Sequence, residues 1–183
     1  IIESGNPVHS LAESDTFRAA MRAAELTVVI DVVHTETTEQ ADWILPASSQ
    51  YEKAEATFFS ANFPANTFHL RQAILEPLEG TLTEPEIHSR LVQASGVLDG
   101  VDFEPLREAA EQGLDAFAEA FMAAAMEKPA ISAYGAVVLY ETLGKSLPAG
   151  KEGAAVLWFS CQMAAQKYPC LLYTSDAADE TCR

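Results

Sequence analysis

Two short apolar runs, with a mostly polar stretch between them, constrain this chain more than anything else in it. The first, Val28, Val29 and Ile30, stops at Asp31; the second, Trp43, Ile44 and Leu45, stops at Pro46. A continuous run of this kind is what a strand covered on both faces looks like, since neither face alternates with solvent. Between the runs, Thr37 and Gln40 have the spacing of a capping box, which predicts a short helix in "TTEQAD". Strand, helix and strand make one βαβ-type crossover, so the expected class is α/β with a parallel sheet.

The residues upstream fit the same pattern. "IIESGNP" reads as the end of a β-strand running into a turn at Gly5, Asn6 and Pro7. In "SDTFRAAMRAA", Phe17, Met21 and Ala24 recur at helical spacing, with Ser14 or Asp15 available as N-cap, which predicts a helix over about 15–24. In an open α/β sheet, ligands sit beyond the carboxyl ends of the strands, where helix N-termini also point their unpaired N–H groups. Three loops open onto that edge: Gly5 to Ser10, Asp31 to Thr35, and the one after Pro46. Asp31 is the best placed of their polar groups to meet a small molecule. The competing reading is that Asp31 and Thr35 satisfy local backbone N–H groups, as Asp and Thr do in turns.

Composition narrows the partners. The 183 residues carry 27 acids and 11 bases, a formal net charge of −16. That balance argues against a phosphate backbone or an anionic membrane surface, both of which need clustered Lys and Arg. The most apolar stretch, "GAAVLWFSCQMAA", is shorter than the roughly 20 residues a membrane span needs. Cys161, Cys170 and Cys182 form no CxxC pair and no dense disulfide framework. His9, His34, His69 and His88 are scattered singly, whereas zinc sites draw on close pairs. No protein-ligated metal is expected, and His34, His69 and His88 have no partner identifiable from sequence.

Beyond residue 98 the pattern turns helical. Phe103, Leu106, Ala110, Leu114, Phe117 and Phe121 fall on one face from Asp102 to about Met126, opposite Glu108, Glu111, Asp115 and Glu119. Two more helices are predicted at about 130–143 and 151–167, separated by a linker from Gly144 to Gly150. This region is read as a helical extension without a catalytic motif. The expected organisation is therefore an α/β domain over 1–98, a helical extension over 99–169, and a tail over 170–183. In that tail the residues from Cys170 to Glu180 are similar to a translated sequencing-library adapter, so it is expected to be foreign and unstructured. The strand-like opening at Ile1 implies a chain that begins inside a larger fold.

"SGNPVHSL" at 4–11, "VVIDVVHTETTEQADWILPASS" at 28–49 and "YEKAEATFFSANF" at 51–63 together resemble the molybdopterin oxidoreductase family, also called the dimethyl-sulfoxide-reductase family. Its common form is a G-x-N-P turn, a helix, a strand ending in Asp, a T-E-T-A-x-x-A-D-V-V-L-P segment and an E-K-x-G-T-F-x-N stretch. Motifs in this order are far more specific than any one of them. The resemblance is strong over 2 to about 95, looser to 169 and absent afterwards. It implies a fragment of a large catalytic subunit, covering the third, α/β domain. That domain grips one guanosine-diphosphate arm of a molybdenum bis(molybdopterin guanine dinucleotide) cofactor, with tungsten as a possible metal. The metal's protein ligand and a [4Fe-4S] cluster are expected only in the missing N-terminal part. The missing domains of the same chain and an iron–sulfur electron-transfer subunit are the implied partners, and the fragment alone is expected to be inactive.

Residue by residue, the resemblance assigns cofactor-binding roles to Gly5, Asn6, Pro7 and Ser10 in the first turn, with Gly5 permitting close backbone approach and Asn6 and Ser10 hydrogen-bonding the nucleotide. It adds Ile30, through its backbone, and Asp31, whose carboxylate can accept from guanine's N1–H and amino group, with Thr35 in the same loop. Lys53 is the mobile cation toward a phosphate or base carbonyl. The family's acid before a helix, commonly Asp-Trp, is here Glu84-Pro85, and Thr83 with Glu86 has capping-box spacing of its own. "FFSANFPANTFHLRQ" departs from the G-T-F-x-N pattern, with Ala56 in place of the glycine, and predicts a strand pair near 57–60 and 67–72. Two function classes follow: a molybdenum or tungsten oxidoreductase, or a cofactor-free scaffold of the same fold, as in the large iron–sulfur subunit of NADH dehydrogenase. A tungsten hydratase is a third variant. The cytoplasm is favoured over the periplasm.

Overall fold

The computed structural model describes residues 1–62 and 65–167, and the adapter-like tail lies outside the described residues. The chain divides into two compact units, Ile1–Val97 and Leu98–Arg183.

The first unit is α/β. Strands β1 (Ile2–Glu3), β2 (Val28–Asp31) and β3 (Trp43–Pro46) form a parallel sheet in the order β1-β2-β3. The register pairs Glu3 with Ile30 and Asp31 with Pro46, so the carboxyl ends share one edge. β2 is the central strand, paired with β1 on one side and β3 on the other, and both of its faces are covered. Val29 packs with Val8 of α1 (Pro7–Ser10) and Met21 of α2 (Ser14–Ala23), whereas Ile30 packs with Ala47 and with Ile87 of α3 (Glu84–Ala94). Consecutive strand residues point to opposite faces, and both side chains are fully buried, which is why the run reads as continuous rather than alternating. Beyond β3, Leu82 makes a single parallel bridge to Ala47. Its N–H donates to the Pro46 carbonyl at 3.2 Å, and the Ser48 N–H donates to the Leu82 carbonyl at 2.8 Å. An antiparallel pair, β4 (Glu55–Asn62) and β5 (Ala65–Arg71), stands apart from this sheet.

Three expected helix starts form differently. α2 is capped by Glu13 without a side-chain bond, in place of Ser14 or Asp15. The helix between β2 and β3 is a single 3-10 turn over Thr38–Gln40, and Thr37 supplies it no cap because its hydroxyl bonds elsewhere. Thr83 precedes α3 without a capping bond, and Glu86 pairs instead with Arg90 at 2.8 Å.

The second unit is helical: α4 (Glu104–Gln112), α5 (Leu114–Glu127), α6 (Pro129–Ala133), α7 (Gly135–Glu141) and α8 (Ala155–Lys167). The single helix expected over Asp102 to Met126 is two. Gly113 adopts φ +123°, a conformation open to glycine and strained for L side chains, and breaks the helix there. The break takes Leu114 out of the apolar stripe and leaves it exposed, while Leu106, Phe117 and Phe121 stay buried. The helix expected at 130–143 likewise divides at Tyr134 and ends in a 3-10 turn over Leu143–Ser146. Phe117 and Phe121 meet the edge of Trp158 with ring centroids 5.0 and 6.0 Å away. The other tryptophan, Trp43, belongs to the first unit and is largely exposed.

Candidate functional site

The parallel register brings three loops to the carboxyl edge of the sheet. The first leaves β1 through Ser4, the one non-glycine with positive φ (+49°) among the described residues, whose N–H donates to the Ile30 carbonyl at 3.0 Å. Asn6 then reaches across to the loop after β2. Its Nδ2 donates to Glu36 Oε2 at 2.7 Å, and its Oδ1 accepts from Thr37 Oγ1 at 2.7 Å. The Thr37 hydroxyl also accepts from the Val8 N–H at 3.2 Å. Thr37 is fully buried, and this donor-and-acceptor use satisfies it without water. Ser10, which is exposed, donates its Oγ proton to the Asn6 carbonyl at 2.9 Å.

Glu36 gains from this arrangement. The bond from Asn6, with help from a backbone N–H and the nearby basic groups of His9 and Arg18, holds its carboxyl below the ordinary value against the opposing effect of desolvation. His9 Nδ1 lies 3.5 Å from Glu36 Oε1. The same loop is tightened by Thr38, whose Oγ1 accepts from the Thr35 N–H at 2.7 Å, while the Thr35 hydroxyl accepts from the Thr38 N–H at 3.2 Å. Thr35 therefore has the local role that its residue type allowed. One oxygen of Asp31 does too, accepting from the Val32 N–H at 2.7 Å. Ile30 is wholly core.

The third loop, after β3, meets the approach to α3. Lys53 Nζ lies 2.5 Å from both carboxylate oxygens of Glu84, with the two side chains only 10% and 13% exposed. Next to it, Glu52 is buried and works as an anchor. Its Oε2 accepts from the Ser49 N–H at 2.7 Å and its Oε1 from the Leu78 N–H at 3.2 Å, so one carboxylate joins the loop after β3 to the segment entering α3. The backbone bond from Ser49, aided by its hydroxyl and by the Leu78 N–H, lowers the Glu52 carboxyl below its ordinary value against the opposing effect of burial. Ser48 Oγ and Thr81 Oγ1 stand 3.1 Å apart beside it.

The nine residues singled out from sequence thus fall into three places. In the first turn Asn6 bonds the loop after β2 and Ser10 bonds the Asn6 carbonyl, with Gly5 and Pro7 flanking Asn6; Lys53 is joined to Glu84; and Ile30, Asp31 and Thr35 run along the central strand end. Among the described residues, no hydrogen bond ties the Asp31 carboxylate to either cluster. Two histidines whose partners the sequence does not identify are hydrogen-bonded, as expected of them: His88 Nε2 lies 2.5 Å from Glu3 Oε2, and His34 Nδ1 lies 3.3 Å from Thr38 Oγ1. Sequence reasoning gave no site role to Glu36, Thr37 or Glu52. Glu52 carried a signal, an acid beside the selected Lys53, but Glu36 and Thr37 lie about thirty residues from Asn6 and no local pattern pairs them.

Among the described residues, no three His, Cys, Asp or Glu side chains gather as a metal site, and no helix is long and apolar enough to cross a membrane. Residues 2–78 match the family model for molybdopterin oxidoreductases. No curated protein matches the chain.

Proposed function

We propose, from the molybdopterin oxidoreductase match over residues 2–78, that this chain is a piece of a molybdenum or tungsten oxidoreductase. Its carboxyl edge would hold one guanosine-diphosphate arm of a pyranopterin guanine dinucleotide. The observation that carries the reading is the convergence of the loops after β1, β2 and β3 on one edge. The donor set suits such an arm. Asp31 commits one carboxylate oxygen to Val32 and keeps acceptor capacity for guanine's adjacent N–H groups. A Cβ on Gly5 would sit 3.6 Å from the Glu3 carbonyl and 4.0 Å from Pro7, ordinary contacts. The fold itself therefore tolerates a side chain there, and the bare Cα leaves room for a ligand approaching the backbone. When bound, the cofactor supplies two-electron chemistry at its metal; this chain's residues bind and orient it.

A second reading, a cofactor-free scaffold of the same fold, is favoured by one observation. Both polar atoms of the Asn6 amide are engaged within the protein, and Lys53 is engaged by Glu84. A scaffold therefore has its own structural use for these residues, and Asp31 carries the distinction between the readings. Asp31→Ala in the complete parent enzyme is expected to lower the molybdenum and pterin content of the purified protein. Unchanged content would remove Asp31 from the site and leave the scaffold reading standing.

A further inference from the structure

The helical unit leaves a second apolar strip uncovered. On α5 the strip turned inward is Phe117 and Phe121, which pack against Trp158 of α8. An amphipathic helix with one buried strip ordinarily carries polar side chains over the rest of its surface. α5 does not. Asp115, Glu119, Met122 and Met126 follow one another at four-, three- and four-residue steps, so they share one face, and all four are exposed, Met126 at 83%. α8 repeats the feature: beside Trp158 it exposes Val156, Phe159 and Met163, again at three- and four-residue steps. A lone exposed apolar residue needs no explanation, whereas two such runs on helices that pack together mark a surface that meets something.

The charge on this surface selects the partner. Asp115 and Glu119, with Glu108 and Glu111 of α4, take part in none of the ion pairs seen among the described residues. Cations of the same unit are engaged by other groups: Arg107 by Glu104, Lys128 by the Gly100 carbonyl, and Lys145 by the Tyr140 ring. A second copy of the chain would bring the same unneutralised acids, and a net charge of −16, against this face. An anionic lipid surface would be repelled likewise. Thioethers, being unbranched and polarisable, adapt to apolar side chains of varied shape. We propose that the exposed face of α5, together with the exposed stripe of α8, docks a basic amphipathic helix of a partner protein. Its aliphatic side chains would sit on Met122, Met126 and Met163, and its Lys or Arg residues would pair with Asp115 and Glu119. This surface lies outside residues 2–78, which carry the family match, so the inference goes beyond the cofactor reading and does not depend on it.

The chain has four methionines, and the remaining one, Met21, is buried in the α/β unit, which makes it an internal reference. Methyl NMR of the full 183-residue chain with isotope-labelled methionine is read while a synthetic helical peptide of Leu and Lys, with Leu at three- and four-residue steps, is titrated in. The methyls of Met122, Met126 and Met163 are expected to shift together and saturate, while that of Met21 stays in place. Asp115→Asn with Glu119→Gln, both at exposed side chains, is expected to weaken the complex about tenfold, the worth of two surface charge contacts, and to leave the methyls of the free chain unmoved. A peptide of the same pattern with Glu in place of Lys is expected to leave all four methyls in place. Absence of shifts at Met122, Met126 and Met163 would overturn the proposal, and so would equal affinity in the double variant or for the Glu peptide. Shifts of the same three methyls on concentrating the chain alone would also overturn it, since a second copy would then be the occupant.

Discussion

The two units bury different things. In the helical unit the interior includes Leu106, Phe117, Phe121, Ile131, Val137 to Tyr140 and Leu143; among the described residues its one buried polar side chain outside that apolar set, Thr142, turns its hydroxyl back to the Val138 carbonyl of its own helix. In the α/β unit Thr27, Thr37, Thr38, Ser48, Glu52 and Ser89 are buried along with the apolar core, and several of them join one loop to another. A buried polar group costs free energy unless it is paired, so a fold that needs only stability has little reason to carry so many. The difference teaches where shape is held by packing and where it is held by directed bonds. Directed bonds fix the position of loops, which is what a ligand edge requires.

The largest effects expected from breaking either kind of order are similar in size and different in kind. Phe117→Ala, which removes the ring packed on Phe121 and Trp158, is expected to cost about 3–5 kcal/mol in denaturant unfolding and to leave GDP binding by the folded fraction unchanged. Glu84→Ala, which strands the Lys53 ammonium in a nearly dry place, is expected to cost a comparable 3–5 kcal/mol, roughly, whereas the paired replacement Lys53→Met with Glu84→Leu recovers most of it. Recovery is the discriminating outcome: a stability loss that persists in the double variant would mean that the pair is held by more than charge.

A smaller effect tests the tight packing of the helical unit. A Cβ on Gly144 would lie 2.7 Å from the Glu152 carbonyl oxygen, a backbone atom that cannot move alone, so Gly144→Ala is expected to destabilise by about 1–3 kcal/mol. Asp31→Ala should do the opposite to the α/β unit. Among the described residues its carboxylate holds only the next N–H, so the melting temperature should barely change, while on the proposed reading GDP affinity falls about ten- to a hundredfold. A large melting shift with unchanged affinity would make Asp31 a structural residue of the α/β unit and not a ligand contact.

The smallest expected effect is in pH. Glu36 and Glu52 both have carboxyls lowered from an ordinary 4.5 by hydrogen bonds made in the folded state. The stability they contribute is therefore fully present above that ordinary value, and is lost as pH falls below it and through their lowered folded values. Melting curves of the unmodified chain between neutral and acid pH should show this loss, and Glu52→Gln should flatten it. An equal slope in that variant would assign the acid sensitivity elsewhere.

Much of the fold was legible because the decisive signals were local. The run Val28 to Ile30 announces a strand buried on both faces by its own composition, and Val29 and Ile30 do face opposite layers. Local signals failed where a side chain found a better partner at a distance. Thr37 and Gln40 have capping-box spacing, but the Thr37 hydroxyl serves Asn6 and Val8 instead of the 3-10 turn that follows. The stripe from Phe103 to Phe121 is real at its ends and interrupted in the middle, since periodicity alone does not register that Gly113 has left helical φ. The candidate site was legible as a set of residue types and illegible as a network. Asn6, Lys53 and Glu84 were each visible, while the bonds from Asn6 to Glu36 and Thr37, and from Lys53 to Glu84, close loops that no sequence window spans.

The placement of the two tryptophans gives each unit its own optical reporter. Trp43 stands largely exposed on β3, and Trp158 is packed edge-on against Phe117 and Phe121. An exposed indole emits at longer wavelength than a half-buried one packed against two phenyl rings, so a single emission spectrum contains a redder component from the sheet and a bluer one from the helices. Heating the intact chain while watching the two components separately would show whether the parts melt together or in sequence, with no label attached and no residue changed.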